Sequence, residues 1–273
     1  VIGALWTNSL ALIIDAGHML VDASGLLIAL LAASLALRPP SPERTWGYRR
    51  AEVLAAGAQA AVLLAVGSYA FIEGVRRLLE PPDVTATGLL VFGVIGLLGN
   101  LISMMVLSSG RGANLNMRAA FLEVVNDALG SVAVIISAIV IALTGWTRID
   151  ALAGMLIAAL IVPRAVTILR EASSILLEST PPGLDLEDVR KHLLAVPHVQ
   201  GVHDLHASTI ATGLPVLTAH VVLDDSCFHD GHSACMLGDL QECVAAHFDV
   251  SVEHSTFQLE PFDHAEREHA THT

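Results

Sequence analysis

Charge is scarce in this 273-residue chain: Asp, Glu, Lys and Arg together make up 15% of it, and aromatic residues only 4%. Soluble domains carry about 25% charge, so a chain that is 53% hydrophobic with a mean hydropathy of +0.63 reads as a membrane protein. Cysteine is nearly absent, with Cys227, Cys235 and Cys243 the three present and no CxxC spacing. That excludes a disulfide framework and points to a reducing compartment. Basic residues are few after residue 180, where 15 acids face Arg190, Lys191 and Arg267. So acidic a segment argues against nucleic acid and anionic lipid as partners and suits cations. No cleavable signal peptide is visible, and the start "VIGALW" without methionine reads as an N-terminal truncation.

What is present divides in two. Five apolar segments, about 9–37, 52–79, 85–108, 118–144 and 149–172, are each long enough for a hydrocarbon core of about 30 Å. Polar breaks such as "RPPSPERTWGYRR" and "EPPD" separate them, and residues 1–6 read as the end of a further span. Arg38, Arg44, Arg49, Arg50, Arg111 and Arg118 fall on the side of the chain's last third, and Arg76, Arg77 and Arg148 on the other. The excess of positive charge places that last third in the cytoplasm. There "LDLEDVRKHLLAV" has helical spacing, three strand-like stretches follow, and "SACMLGDLQECVAAH" reads as a helix starting at Ser233 between the last two. The expected fold is a polytopic α-helical membrane domain, 1–178, then an α+β ferredoxin-like αββαβ domain, 179–262, and a flexible tail, 263–273.

Histidine is distributed unevenly, with 12 of 13 after residue 190 and His18 alone in the membrane part. His18 and Asp22 lie four apart, hence on one helix face, with Asp15 near the same stripe. "FLEVVNDALGS" repeats the device with Glu123 and Asp127. Each acid near mid-bilayer costs about 2.5–3.5 kcal/mol, a penalty that packing does not offset. Two helices offering one pair each can converge on a single ion with one imidazole nitrogen and three carboxylate oxygens, a tetrahedral set suited to zinc, cobalt or cadmium. An empty site of this kind takes up protons, so metal and protons compete for it. Asp15 reads equally as a helix-interface residue, Glu73 and Asp150 as solvated or capping groups near span ends, and Asn100 as an interhelical hydrogen bonder.

These residues resemble the cation diffusion facilitator family of zinc transporters. The resemblance is carried by "NSLALIIDAGHMLVDA", "TWGYRRAE" and "FLEVVNDALGS" in the membrane part and by "DLHAS", "LTAHVVL" and "HSTFQLE" after it. It implies a six-span homodimeric metal/proton antiporter of the bacterial inner (plasma) membrane that exports Zn²⁺, sometimes Co²⁺ or Cd²⁺. It also places His18, Asp22, Glu123 and Asp127 at the transport site, with residues 1–6 as the remnant of a first span. The chain departs from the family in three places. Glu123 stands where histidine is most frequent, the loop "SSGRGANLNMR" has no histidine, and Ala207 and Ser208 follow "HDLH" where an aromatic is usual.

Strand alternation puts Leu217, Ala219, Val221 and Leu223 on one face and leaves His220 on the other. His206 on the preceding strand, and His254 with Glu260 on the last, can reach the same face, so His206, His220, His254 and Glu260 form a candidate second metal cluster. Positions like these bind zinc in the family it resembles. His229, His232 and Cys235 form a weaker ligand group, and His264, His269 and His272 a weaker tract still. Two competing readings remain: a membrane-anchored metal sensor or scaffold without transport, and an intramembrane metallohydrolase. The second lacks any HExxH pattern or serine/histidine arrangement in the spans.

Overall fold

A computed structural model describes residues 2–108, 115–229 and 231–265. A short α1 (Ile2–Thr7) is followed by five long helices, α2 (Leu10–Ala36), α3 (Ala51–Leu79), α4 (Ala86–Ser108), α5 (Leu115–Thr144) and α6 (Arg148–Leu176). All five are long and apolar enough to cross a membrane. Then come α7 (Leu186–Leu194), β1 (Val199–Ala211), β2 (Leu214–Leu223), α8 (Ser226–His229), α9 (Ser233–Ala246), β3 (His254–Pro261) and α10 (Phe262–Ala265). The αββαβ order holds, with α8 and α10 as one-turn additions. The last span runs four residues beyond its expected end at residue 172, and β3 starts only at His254, although the apolar pattern begins at Phe248.

By contacts the chain forms two units: residues up to Leu30 with Ala55–Arg170, and Leu31–Leu54 with residues from Glu171 on. The first is packed around Leu10, Ile14, Leu63, Leu89, Val134 and Ile157. Leu26, Leu27, Leu30, Ile72, Ile102 and Met105 are exposed on its helices, an apolar outer surface suited to lipid. Asn100 on α4 donates to Ser131 Oγ on α5 at 3.2 Å, the interhelical bond expected of it.

The N-terminus of α2 is fixed by an acid from elsewhere. Asp150, on the first turn of α6 and 1% exposed, accepts from Leu10 N at 2.5 Å and from Ser9 Oγ, while Ser9 Oγ itself accepts from Leu12 N at 3.1 Å. A negative group is thereby held against the free N–H groups and positive dipole end of α2. Beside it, Arg77 bonds Glu73 at 2.9 Å and the Asn8 carbonyl at 2.7 Å, so Glu73 serves an ion pair within α3. Asp150→Ala is expected to cost about 2 kcal/mol, because it strips a buried charged acceptor from two donors. A lowered melting temperature of the detergent-solubilised protein checks it.

In the second unit, β2 is central, antiparallel to β1 and parallel to β3. Leu217, Ala219, Val221 and Leu223 face the core, as alternation requires, against Val189 and Leu193 of α7 and Leu240 and Val244 of α9. Asp185 caps α7, accepting from Glu187 N at 2.9 Å. The β1–β2 hairpin turns through Gly213 at φ +73, a conformation that glycine adopts without a Cβ clash. Cys227 and Cys243 lie buried in this core as free thiols, and burial pushes the Cys243 thiol up.

Candidate metal centres

The donor set in the helical unit is built by α2 and α5. His18 Nε2 lies 3.2 Å from Asp22 Oδ2, one turn along α2, and 3.3 Å from Asp127 Oδ1 on α5. A single ring nitrogen thus faces two carboxylates, a place that only a cation or a proton can satisfy. His18 is buried, and its Nδ1 has no hydrogen-bond partner among the described residues. Gln59 of α3 reaches Asp22 Oδ1 from the other side at 3.4 Å. It passes over Gly25, where a Cβ would collide with the Gln59 amide, so this close approach depends on glycine.

Glu123 is oriented differently from its three companions. It lines the same cavity as His18 and Asp127, but its carboxylate is ion-paired with Arg164 of α6. A wider, more open cavity is lined by Asp22, Gln59, Glu123, Asp127 and Arg164. The two cavities share Glu123, Asp127 and Arg164 in their linings, and the four expected residues divide between them, with Asp22 and Asp127 at the His18 imidazole and Glu123 held by a guanidinium. Asp15, buried, lines the smaller cavity with His18 and Asp127. Arg164 is not among the expected site residues, although a base inside "LIVPRAVTIL" is a visible signal in an apolar span.

The second cluster differs from the expected one. His203, His220 and Glu260 each bring a ligand atom within 4.8 Å of the others, and among the described residues no other such group of His, Cys, Asp or Glu forms. Glu260, 1% exposed, lies 2.5 Å from His203 Nε2 and 3.9 Å from His220 Nδ1, and accepts from Gln258 Nε2 at 3.1 Å. Asp204 sits 3.0 Å from His203 Nδ1, the carboxylate–imidazole arrangement that fixes a ligand ring. Burial alone would lower the His203 pKa, but the hydrogen bonds with Asp204 and Glu260 outweigh it and raise the pKa above its ordinary value.

His203 replaces His206 because of a register shift. His203 pairs with His220 and His206 with Thr218, so three steps along β1 match two along β2. The extra residue is a bulge at Asp204, whose φ of +46 is left-handed. Both histidines consequently share the face, and the earlier one stands opposite His220. His206 is exposed, its Nε2 4.0 Å from Asp204. His254 shares parity with Glu260 but pairs with Val216, four residues short of His220, or about 13 Å along the strand. Its ring stands 4.9 Å from that of Trp46 instead. His229 ends α8, and His232 precedes α9 with its ring 6.4 Å from that of His198. His264 Nε2 lies 3.8 Å from Glu260, whereas His269, His272 and the rest of the expected tail after residue 265, like Arg111 in its loop, lie outside the described residues.

Residues 1–177 match the cation efflux transmembrane domain, and residues 181–262 the cation efflux protein cytoplasmic domain. The chain is 42% identical over 266 residues to the metal cation efflux system protein CzcD of Cupriavidus metallidurans, covering 97% of this chain and 83% of that one. It is 40% identical over 226 residues to the cadmium, cobalt and zinc/H(+)-K(+) antiporter of Bacillus subtilis, covering 82% and 73%. To the zinc transporter ZitB of Escherichia coli it is 36% identical over 262 residues, covering 95% and 82%. Among solved structures, the metal-bound C-terminal domain of the Cupriavidus CzcD transporter is 36% identical, covers 28% of this chain and 99% of that one, and has a TM-score of 0.25.

Proposed function

The chain belongs to the cation efflux family, whose members are metal transporters and not enzymes, and from that footing we propose that it exports Zn²⁺ from the cytoplasm in exchange for protons. His18, Asp22, Glu123 and Asp127 carry the ion by alternating access, with Co²⁺ and Cd²⁺ as further cargo. The observation that carries this reading is the His18 Nε2 atom flanked at 3.2 and 3.3 Å by carboxylates from two helices. An arriving metal takes the nitrogen lone pair and the carboxylate oxygens together. When it leaves, protons neutralise the same atoms, so one set of side chains serves both ions in turn. The hydrolase alternative falls with family membership, and the sensor alternative leaves the buried intramembrane acids without a role.

The wider cavity is lined by Ala29, Leu107 and Gln59, toward the ends of α2, α4 and α3 that the arginine count assigns to the cytoplasm. This supports an inward-facing arrangement, ready to receive cytoplasmic metal. We place the protein in the inner membrane as a homodimer, as the two matched domains and the positive-inside count suggest. His203, His220 and Glu260 would hold a resident metal in the cytoplasmic domain, where it would tie β1, β2 and β3 together; imidazole and carboxylate donors suit Zn²⁺.

The test is metal uptake by proteoliposomes across an imposed pH gradient. Zinc accumulation that follows the gradient, and collapses when the gradient is dissipated, is expected; zinc movement indifferent to it would remove proton exchange. Metal competition in the same assay reads selectivity. Glu123→His replaces a hard oxygen donor with a second imidazole, and is expected to weaken Mn²⁺ and Fe²⁺ as competitors of zinc by about tenfold.

A further inference from the structure

Arg164 is a positive group inside the transport site that the metal cycle does not employ. It lies on α6 directly after Pro163, its Nη1 on Glu123 Oε1 of α5. Among the described residues lining the two cavities it is the one Lys or Arg. A guanidinium keeps its charge at any physiological pH, so this pairing persists wherever geometry allows it.

We propose that Arg164 is a tethered counter-cation: it holds Glu123 while the site is free of metal, yields Glu123 when metal binds, and reclaims it as metal leaves. This deepens the transport reading and rests on Glu123 being a ligand. The division of the site argues for it. Asp22 and Asp127 face the imidazole, while Glu123, the ligand position with no contact to that ring among the ion pairs, is the one with a cation of its own. A divalent metal drawn by all three carboxylates repels a guanidinium on the same carboxylate, so the two compete for it.

The means of withdrawal are present too. The Arg164 side chain is half exposed and borders the wider cavity, which gives it room to swing away. Pro163 offers no N–H to the helix ladder, so Arg164 sits on a turn of α6 held by one hydrogen bond fewer. Arg164 thus acts through Glu123 as a positioning residue, setting how tightly the site grips metal and how readily it lets go.

Zinc dose–response of uptake by the full chain in proteoliposomes, at a fixed pH gradient, tests this, together with zinc affinity in detergent. Arg164→Gln is expected to lower the zinc KM about tenfold and the maximal rate by a similar factor, within the usual range for coupled sites. Arg164→Lys restores both most of the way. Glu123→Gln slows transport by itself, and in that background Arg164→Gln leaves KM unmoved. An unchanged KM in Arg164→Gln, or an equal shift with and without Glu123, overturns the counter-cation. Wild-type kinetics in Glu123→Gln would instead remove Glu123 from the site and the underlying reading with it. Should Arg164→Gln not insert, Arg164→Met keeps the stem without the charge and is read in the same way.

Discussion

Asp127→Ala, in the full chain reconstituted into liposomes, abolishes zinc-driven proton flux while helical content and detergent elution stay those of the parent. Asp127 is the carboxylate that joins α5 to the His18 imidazole of α2, at 3.3 Å, so its loss removes the bond that closes the donor set across two helices. Mutating a residue that merely orients a metal ligand costs 10- to 100-fold in affinity; losing a proposed ligand should cost at least about 100-fold. Folding should survive, because α5 is held elsewhere by Val134, Ala138 and Ile141 in the helical core and by the Ser131–Asn100 bond. Asp127→Asn separates charge from shape: it keeps an oxygen and the side-chain volume, yet cannot take part in proton exchange. It is expected to be as inactive in coupled flux as alanine. Retained flux in either variant would move the transport site away from these four residues.

The side chains proposed as intramembrane donors are legible in the amino-acid sequence because their pattern depends on two periodic signals. Span length follows from hydrocarbon thickness, and i, i+4 spacing follows from the helix itself, so the pairs His18–Asp22 and Glu123–Asp127 stand out against an apolar background. Their partners are harder to see, because tertiary packing chooses them. Arg164 lies 41 residues from Glu123 on another helix, and Asp150 lies 141 residues from the Ser9 that it binds. Near a span end an acid such as Asp150 reads as solvated or capping, and only packing decides that it caps α2, a helix other than its own. The cytoplasmic cluster departs from expectation for a different reason. Alternation fixes which face a strand residue occupies only while the ladder is regular, and the bulge at Asp204 inserts one residue between His203 and His206. Parity also says nothing of distance along a strand, which is why His254 shares a face with Glu260 yet sits opposite Val216.

The same bulge underlies the second large effect. In an Asp127→Ala background, which silences the intramembrane site, calorimetric titration of the full chain with zinc is expected to show a remaining site in the cytoplasmic domain. Adding His203→Ala and His220→Ala together removes it, with affinity falling at least about 100-fold, because two of three donors are lost and Glu260 alone is left facing the ion. The pair His206→Ala and His254→Ala, in the same background, should leave the binding isotherm close to that of the parent. His206 is exposed beside Asp204, and His254 stacks edge-on against Trp46, and among the described residues neither belongs to the group of ligand atoms around Glu260. The two double substitutions therefore distinguish a site set by the bulged register from one set by simple alternation. If the His206/His254 pair abolishes binding and the His203/His220 pair does not, the cluster around Glu260 is a hydrogen-bonded histidine–carboxylate network and the metal sits elsewhere on the sheet. A loss confined to His203 and His220 would locate it where the three strands meet, so that a bound ion fixes β1 against β3 through the Glu260 side chain, which is 1% exposed.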